Sequence, residues 1–337
     1  MKRTMRLLFA GTVYGICAGA GAQDFGDNPA CDALGKIAIP KADEPDAAAR
    51  TRLAGCDSEK LYYAHGATPD YADARRCAFL ERENGDELVF GGSAVLMMIY
   101  ANGDGVPRNI ALAKQFACAV QGAPAELDGR LQHLDELAKA GGKTERFDLC
   151  DDITSGYMMG FCADHAADAA EVGRDRRVAA LTASWSADHR AALAPLRAAA
   201  DAYFDAVVDG EVDMSGTARG AMAVGARESL ENAFVESLTA FEQGRFPDGD
   251  AAAFAAADKA LNAAYAATIK RYKSDSAEGI AGTVTPDGIR NAERAWIKYR
   301  DAWGAFGAKK YPAVSADAWR AYFTREREKA LKELAGE

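Results

Sequence analysis

Ile289, Ala292, Trp296, Tyr299, Trp303 and Phe306 recur at alternating steps of three and four, the spacing of one face of an α-helix. Two tryptophans and a tyrosine on one stripe are more aromatic surface than a helix leaves in water, so neighbouring helices must cover it. Thr285, Pro286 and Asp287 open the segment. They supply an N-cap oxygen, a ring that fits the first turn and an acid at the positive end of the dipole. The stripe therefore predicts the spine of a helical domain. Strand-like runs of Val, Ile and Thr are nearly absent, alanine dominates the second half, and glycines cluster at expected helix ends. The expected fold is all-α: an N-terminal helical-hairpin module followed by helical bundle domains.

The first 22 residues read as a signal peptide. Lys2, Arg3 and Arg6 form a basic head, Leu7 to Cys17 a short apolar segment, and Ala20-Gly21-Ala22 a cleavage site before Gln23. Tyr14-Gly15-Ile16 is a poor lead-in for lipidation of Cys17. No later stretch is long and apolar enough to span a bilayer, so a periplasmic or secreted protein is expected. The chain carries 40 Lys+Arg against 50 Asp+Glu, and the leader removes basic residues only. That balance argues against nucleic acid and suits a basic partner. Six cysteines follow the leader, and in an oxidising compartment they imply three disulfides. Proximity along the chain suggests Cys31–Cys56, Cys77–Cys118 and Cys150–Cys162. All precede residue 163, so the C-terminal part must stand on packing alone.

Residues 23–50, broken by Pro29, Pro40 and Pro45, read as an irregular lead-in. Residues 51–145 read as a small helical module, with helices near Tyr71–Glu83, Ala94–Tyr100 and Ile110–Gln121. Asn102-Gly103-Asp104-Gly105 between the last two is a tight turn; it lacks the downstream ligands of a calcium loop. Ala94, Leu96, Tyr100, Gly103, Gly105, Val106, Asn109 and Ala113 resemble one Sel-one-like repeat, a relative of the tetratricopeptide repeat. That resemblance implies an interaction scaffold, with either Cys77 and Cys118 stapling the flanking helices or the module packing on the next domain. Residues 150–250 read as a middle helical domain, with two helices broken around Pro195, a loop from Gly210 to Thr217 and a long helix from Arg219 to Glu242. Residues 251–337 read as three helices.

Those last residues resemble the LprI-type lysozyme-inhibitor family of exported bacterial proteins. Asp258, Leu261, Asn262 and Tyr265 carry the likeness on the first helix. The run Arg290 to Ala302, with Ala292, Glu293, Trp296, Tyr299, Arg300 and Asp301, carries it on the second, and Thr324, Arg327 and Leu331 on the third. Residues 150–250 carry faint echoes of it in Trp185 and the Glu211 to Thr217 loop. The family's two cysteines fall at Gly304 and Trp319. A buried Trp319 would recover about 2–3 kcal/mol, comparable to the lost cross-link. The family motif makes Trp296, Tyr299, Arg300 and Asp301 the candidate binding residues, although a structural role is the simpler reading. Half-buried arginines need carboxylates, and Asp258–Arg300 or Asp301–Arg327 is the expected pair.

His65, His133, His165 and His189 sit in no recognisable nucleophile or zinc motif. Cys162 and His165 have ligand-like spacing, but a disulfide is the better use of Cys162. No phosphate loop, G-x-S-x-G or H-E-x-x-H occurs. The expectation is a non-enzymatic exported protein without metal or cofactor. The family implies a protein partner, a lysozyme or related cell-wall hydrolase that it inhibits. The alternative is an envelope adaptor that grips another protein through the repeat module.

Overall fold

The computed structural model describes residues 28–34, 37–85, 89–140 and 146–337. The expected signal peptide, its cleavage site and Cys17 lie outside them. Among the described residues there are helices and no strands: α1 Pro29–Leu34, α2 Ala47–Arg52, α3 Ser58–Tyr63, α4 Tyr71–Asn84, α5 Ser93–Asn102, α6 Ile110–Ala117, α7 Pro124–Ala140, α8 Gly156–Thr182, α9 Ala187–Glu211, α10 Arg219–Glu242, α11 Ala251–Glu278, α12 Pro286–Lys310 and α13 Ala316–Leu334. None is long and apolar enough to cross a membrane. The lead-in is more regular than its prolines suggested: Pro29 starts α1, and Asp46 caps α2 by accepting from the Ala49 amide. Most later helices open the same way, with Asp70, Asn109, Ser155, Asp250, Thr285 and Ser315 each accepting from an amide three residues on. These caps satisfy orphan donors at the positive end of each helix.

Two hydrophobic cores result. The first gathers Tyr62, Phe79, Leu96, Met97, Phe116, Leu134, Phe147 and Met158 around α5. From Ser93 to Ala101 every residue of α5 is buried, as expected of a helix apolar all round. Between α5 and α6, Gly103 and Gly105 take positive φ (76° and 69°), a region costly for residues with a Cβ. Asp104 between them accepts from Tyr62 and Arg146.

The disulfides correct two of the expected pairings. Cys31 joins Cys118 and Cys56 joins Cys77; Cys150 joins Cys162. Chain proximity misled because α1 folds back on α6, while α3 packs along α4. Cys118 is thereby offered to Cys31 and Cys77 to Cys56.

The second core runs from Trp185 to Leu331 and includes Phe204, Phe234, Phe241, Trp303, Phe306 and Trp319. The expected boundary near residue 250 does not divide two cores, because α9 packs along α12. These helices are antiparallel: Gly210 meets Gly288 at one end, and the Trp185 ring lies 5.7 Å from Phe306 at the other. In both α8–α10 and α11–α13 the first and third helices pair, and the middle ones meet across the molecule. Pro195 does not break α9. Burial of Leu196, Ala200, Tyr203 and Phe204 just beyond it outweighs one lost backbone bond.

Candidate functional site

The family-motif residues divide between core and surface. Trp296 and Tyr299 are buried, and Tyr299 stacks on Tyr203 at 5.3 Å. Arg300 spreads over the rings of Trp296 (5.1 Å) and Phe254 (5.7 Å) and donates to Asp301 at 2.9 Å. It does not meet Asp258, which accepts from Asn262 on its own helix. Asp301 is exposed and does not meet Arg327. Both expected ion pairs are therefore absent, because the faces they needed to share belong to different helix contacts.

Arg327 instead donates to Glu211 at the end of α9 (2.9 Å from Nη1) and to Glu293 on α12 (2.9 Å from Nε), and its Nη1 lies 3.3 Å from the Tyr203 hydroxyl. Its side chain is 1% exposed. Burial works against the guanidinium charge, but Tyr203 and the two carboxylates outweigh it and hold its pKa well above the ordinary value. Burial pushes the Glu293 carboxyl up, although Arg327 opposes this. The cluster joins three helices at one buried point.

Trp319 is fully buried, stacked beside Trp303 and Tyr311 and edge-on to Phe241. It fills space against Gly307, where an added Cβ would fall 2.3 Å from the indole. Gly304, the other expected cysteine position, has nothing within 4 Å of such a Cβ. At that end of the bundle Glu242 accepts from Trp185 Nε1 (2.9 Å), from the Tyr311 hydroxyl and from Lys310 (3.1 Å).

The opposite end presents two exposed loops. There the loop 212–218 is tied to the loop 279–285. Asp213 accepts from the amides of Ser215 (2.9 Å) and Thr283 (3.0 Å), and the Met214 amide donates to Thr283 Oγ1 (2.6 Å). The Ser215 amide and hydroxyl and the Thr283 amide lower the Asp213 carboxyl to about 2. Next to these loops a groove of about 390 Å³ is lined by Tyr157, Phe161, Met214, Thr217 and Val224. Tyr157 is 68% exposed with its ring edge against Phe161, and Ile280 on the second loop is also 68% exposed. Large exposed apolar side chains beside rigid loops are features of contact surfaces. Sequence reading passed over them because Tyr157 and Phe161 fit a buried stripe equally well.

Among the histidines, His133 sits beside Asp152 at 3.1 Å. His165 turns away from Cys162, which is in its disulfide, and faces Glu59 and His65.

Fold and surfaces together define an all-α protein with one disulfide-linked core and one aromatic bundle. Within it, residues 251–331, which span α11, α12 and most of α13, match the model of the lysozyme inhibitor LprI family. No curated protein and no solved structure matches the chain. The stripe on α12 lies within the matched stretch, while α9 and α10, which cover it, lie outside.

Proposed function

We propose that this is an exported binding protein that blocks a lysozyme or a related cell-wall hydrolase. The match of residues 251–331 to the lysozyme-inhibitor family carries the reading. Burial of Trp296 and Tyr299 supports a structural role for those motif residues. Inhibition then belongs to surface, and the paired loops 212–218 and 279–285 supply it: they are tethered, and they carry exposed Ile280. The acidic balance of the chain, −10 overall, favours encounter with a basic enzyme.

The test is hydrolysis of cell-wall substrate by lysozyme with the purified protein titrated in, at low and high salt. Saturating inhibition near one-to-one, weakened by salt and lowered about tenfold or more by Ile280→Asp, supports the reading; a buried apolar anchor at an interface is commonly worth that much. Absence of inhibition at tens of micromolar overturns it and favours the adaptor reading, in which the groove beside Tyr157 and Phe161 or the 51–145 module grips another envelope protein.

A further inference from the structure

Three ligand-type side chains cluster where α3 meets α8. Glu59 on α3, His65 just beyond the end of that helix, and His165 on α8 offer ligand atoms that all lie within 4.8 Å of one another. They come together because α3 ends at Ala64 in a left-handed conformation (φ 53°). No other described non-glycine residue has a positive φ. That turn brings His65 back over Tyr63, with the two rings parallel at 6.1 Å. Tyr63 is itself anchored by donating to Asp148 at 2.7 Å. The His165 ring is held by Tyr63 at 4.0 Å and stacked on Phe90 at 4.5 Å. His165 Nδ1 donates to Glu59 Oε1 at 2.9 Å, and the two imidazole rings are 5.1 Å apart.

The neighbourhood favours a cation. Asp164, next to His165 in the chain, adds a carboxylate near Glu59. The Arg176 guanidinium donates to the Gly66 carbonyl beside His65. The side chains are only partly exposed, 12% for His165 and 28% for Glu59, so an ion can enter while the rings stay supported on their apolar sides. An ordinary histidine–glutamate ion pair needs one imidazole. Here two imidazoles converge on one carboxylate from two separate segments, and the rings behind them fix their planes.

We propose that Glu59, His65 and His165 bind one divalent transition-metal ion of the zinc class. Two imidazole nitrogens and one carboxylate oxygen are a donor set suited to Zn²⁺, with a fourth position left for water; Mg²⁺ and Ca²⁺ prefer oxygen ligands in larger number. The ion takes the place of the hydrogen between His165 Nδ1 and Glu59, and the neutral ring keeps its one proton on Nε2. Held this way, the metal links α3 in the first core to α8, the helix that continues into the second.

The test is isothermal titration of zinc chloride into the purified, untagged full chain, with magnesium and calcium chloride as comparison ions. The expected result is one Zn²⁺ per chain and no comparable binding of the other two. Affinity should fall at least tenfold to about a hundredfold in His65→Ala and in Glu59→Gln, since even outer-shell changes at metal sites cost about that much. His65→Ala is the key variant, because His65 sits in a loop and its loss spares the packed ring of His165. His189→Ala, at a half-buried position on α9, should leave binding unchanged. X-ray absorption fine structure at the zinc edge of the loaded protein should report two imidazoles, and one fewer in His65→Ala. Absence of binding, or equal affinity in the protein and in a His65→Ala/Glu59→Gln double variant, overturns the proposal.

Discussion

Arg327 is the residue on which the polar interior of the second core depends. Its guanidinium is shared between Glu211 and Glu293, and the two carboxylates are not equivalent. Burial raises the Glu293 carboxyl. A carboxyl raised in the folded state favours folding only below its unfolded pKa and loses that contribution as pH rises through the folded value. At neutral pH its charge therefore opposes folding and needs Arg327 beside it. Arg327→Ala leaves two buried acids facing one another, with an expected cost of about 3–5 kcal/mol. Glu211→Gln removes the bidentate partner, whereas Glu293→Gln removes a charge that burial already penalises. Glu211→Gln should therefore be the more destabilising in urea unfolding at pH 7, and the difference should shrink toward pH 4. Equal costs, or the reverse order, would show that Glu293 carries the pair. The sequence disclosed that Arg327 lies on an apolar face and needs a carboxylate. It did not disclose which one, because helical periodicity identifies a face and says nothing about the helix opposite. The acids nearest in the motif, Asp258 and Asp301, turn out to sit at the surface.

At the scale of elements, the helices were legible and their contacts were not. The α12 stripe and its Thr285-Pro286 start, the long α10 and the turn from Asn102 to Gly105 stand where spacing and caps placed them, since those signals are local. Pro195 misled because tertiary burial overrides a local breaker. Two glycine contacts that set helix approach also escaped notice. At Gly210 and Gly288 an added Cβ would come within 3 Å of the other helix's backbone, so α9 and α12 approach main chain to main chain. Gly307 makes room for the indole of Trp319. This gives a paired prediction on one helix. Gly307→Ala should destabilise by about 1–3 kcal/mol, because a packed indole has no free volume to move into. Gly304→Ala, three residues earlier with open space around its Cβ, should be neutral or stabilise by up to about 1 kcal/mol through helix propensity. Thermal or urea unfolding of the two variants distinguishes them, and a tolerated Gly307→Ala would mean that Trp319 does not require that gap.

At the scale of the whole molecule, the two cores are secured by different means, and this has a measurable consequence. All three disulfides lie in or beside the first core. The second contains none and holds together through aromatic packing and the Arg327 cluster. Cys31–Cys118 closes a sequence separation of 87, against 21 and 12 for the other two. On the chain-entropy view it contributes most, about 4–5 kcal/mol. The four tryptophans, Trp185, Trp296, Trp303 and Trp319, all belong to the second core, so indole emission reports that core alone while far-ultraviolet dichroism reports both. In reductant, part of the helical signal should melt at lower urea, and the tryptophan transition should stay near its oxidised midpoint. Alanine at both Cys31 and Cys118 should reproduce most of the early loss without reductant. The coupling element is α8, whose first turn carries Met158 into the first core while Val178 and Leu181 pack on the second. A tryptophan midpoint that falls together with the dichroism on reduction would mean that α8 transmits the loss and that the two cores unfold as one cooperative unit.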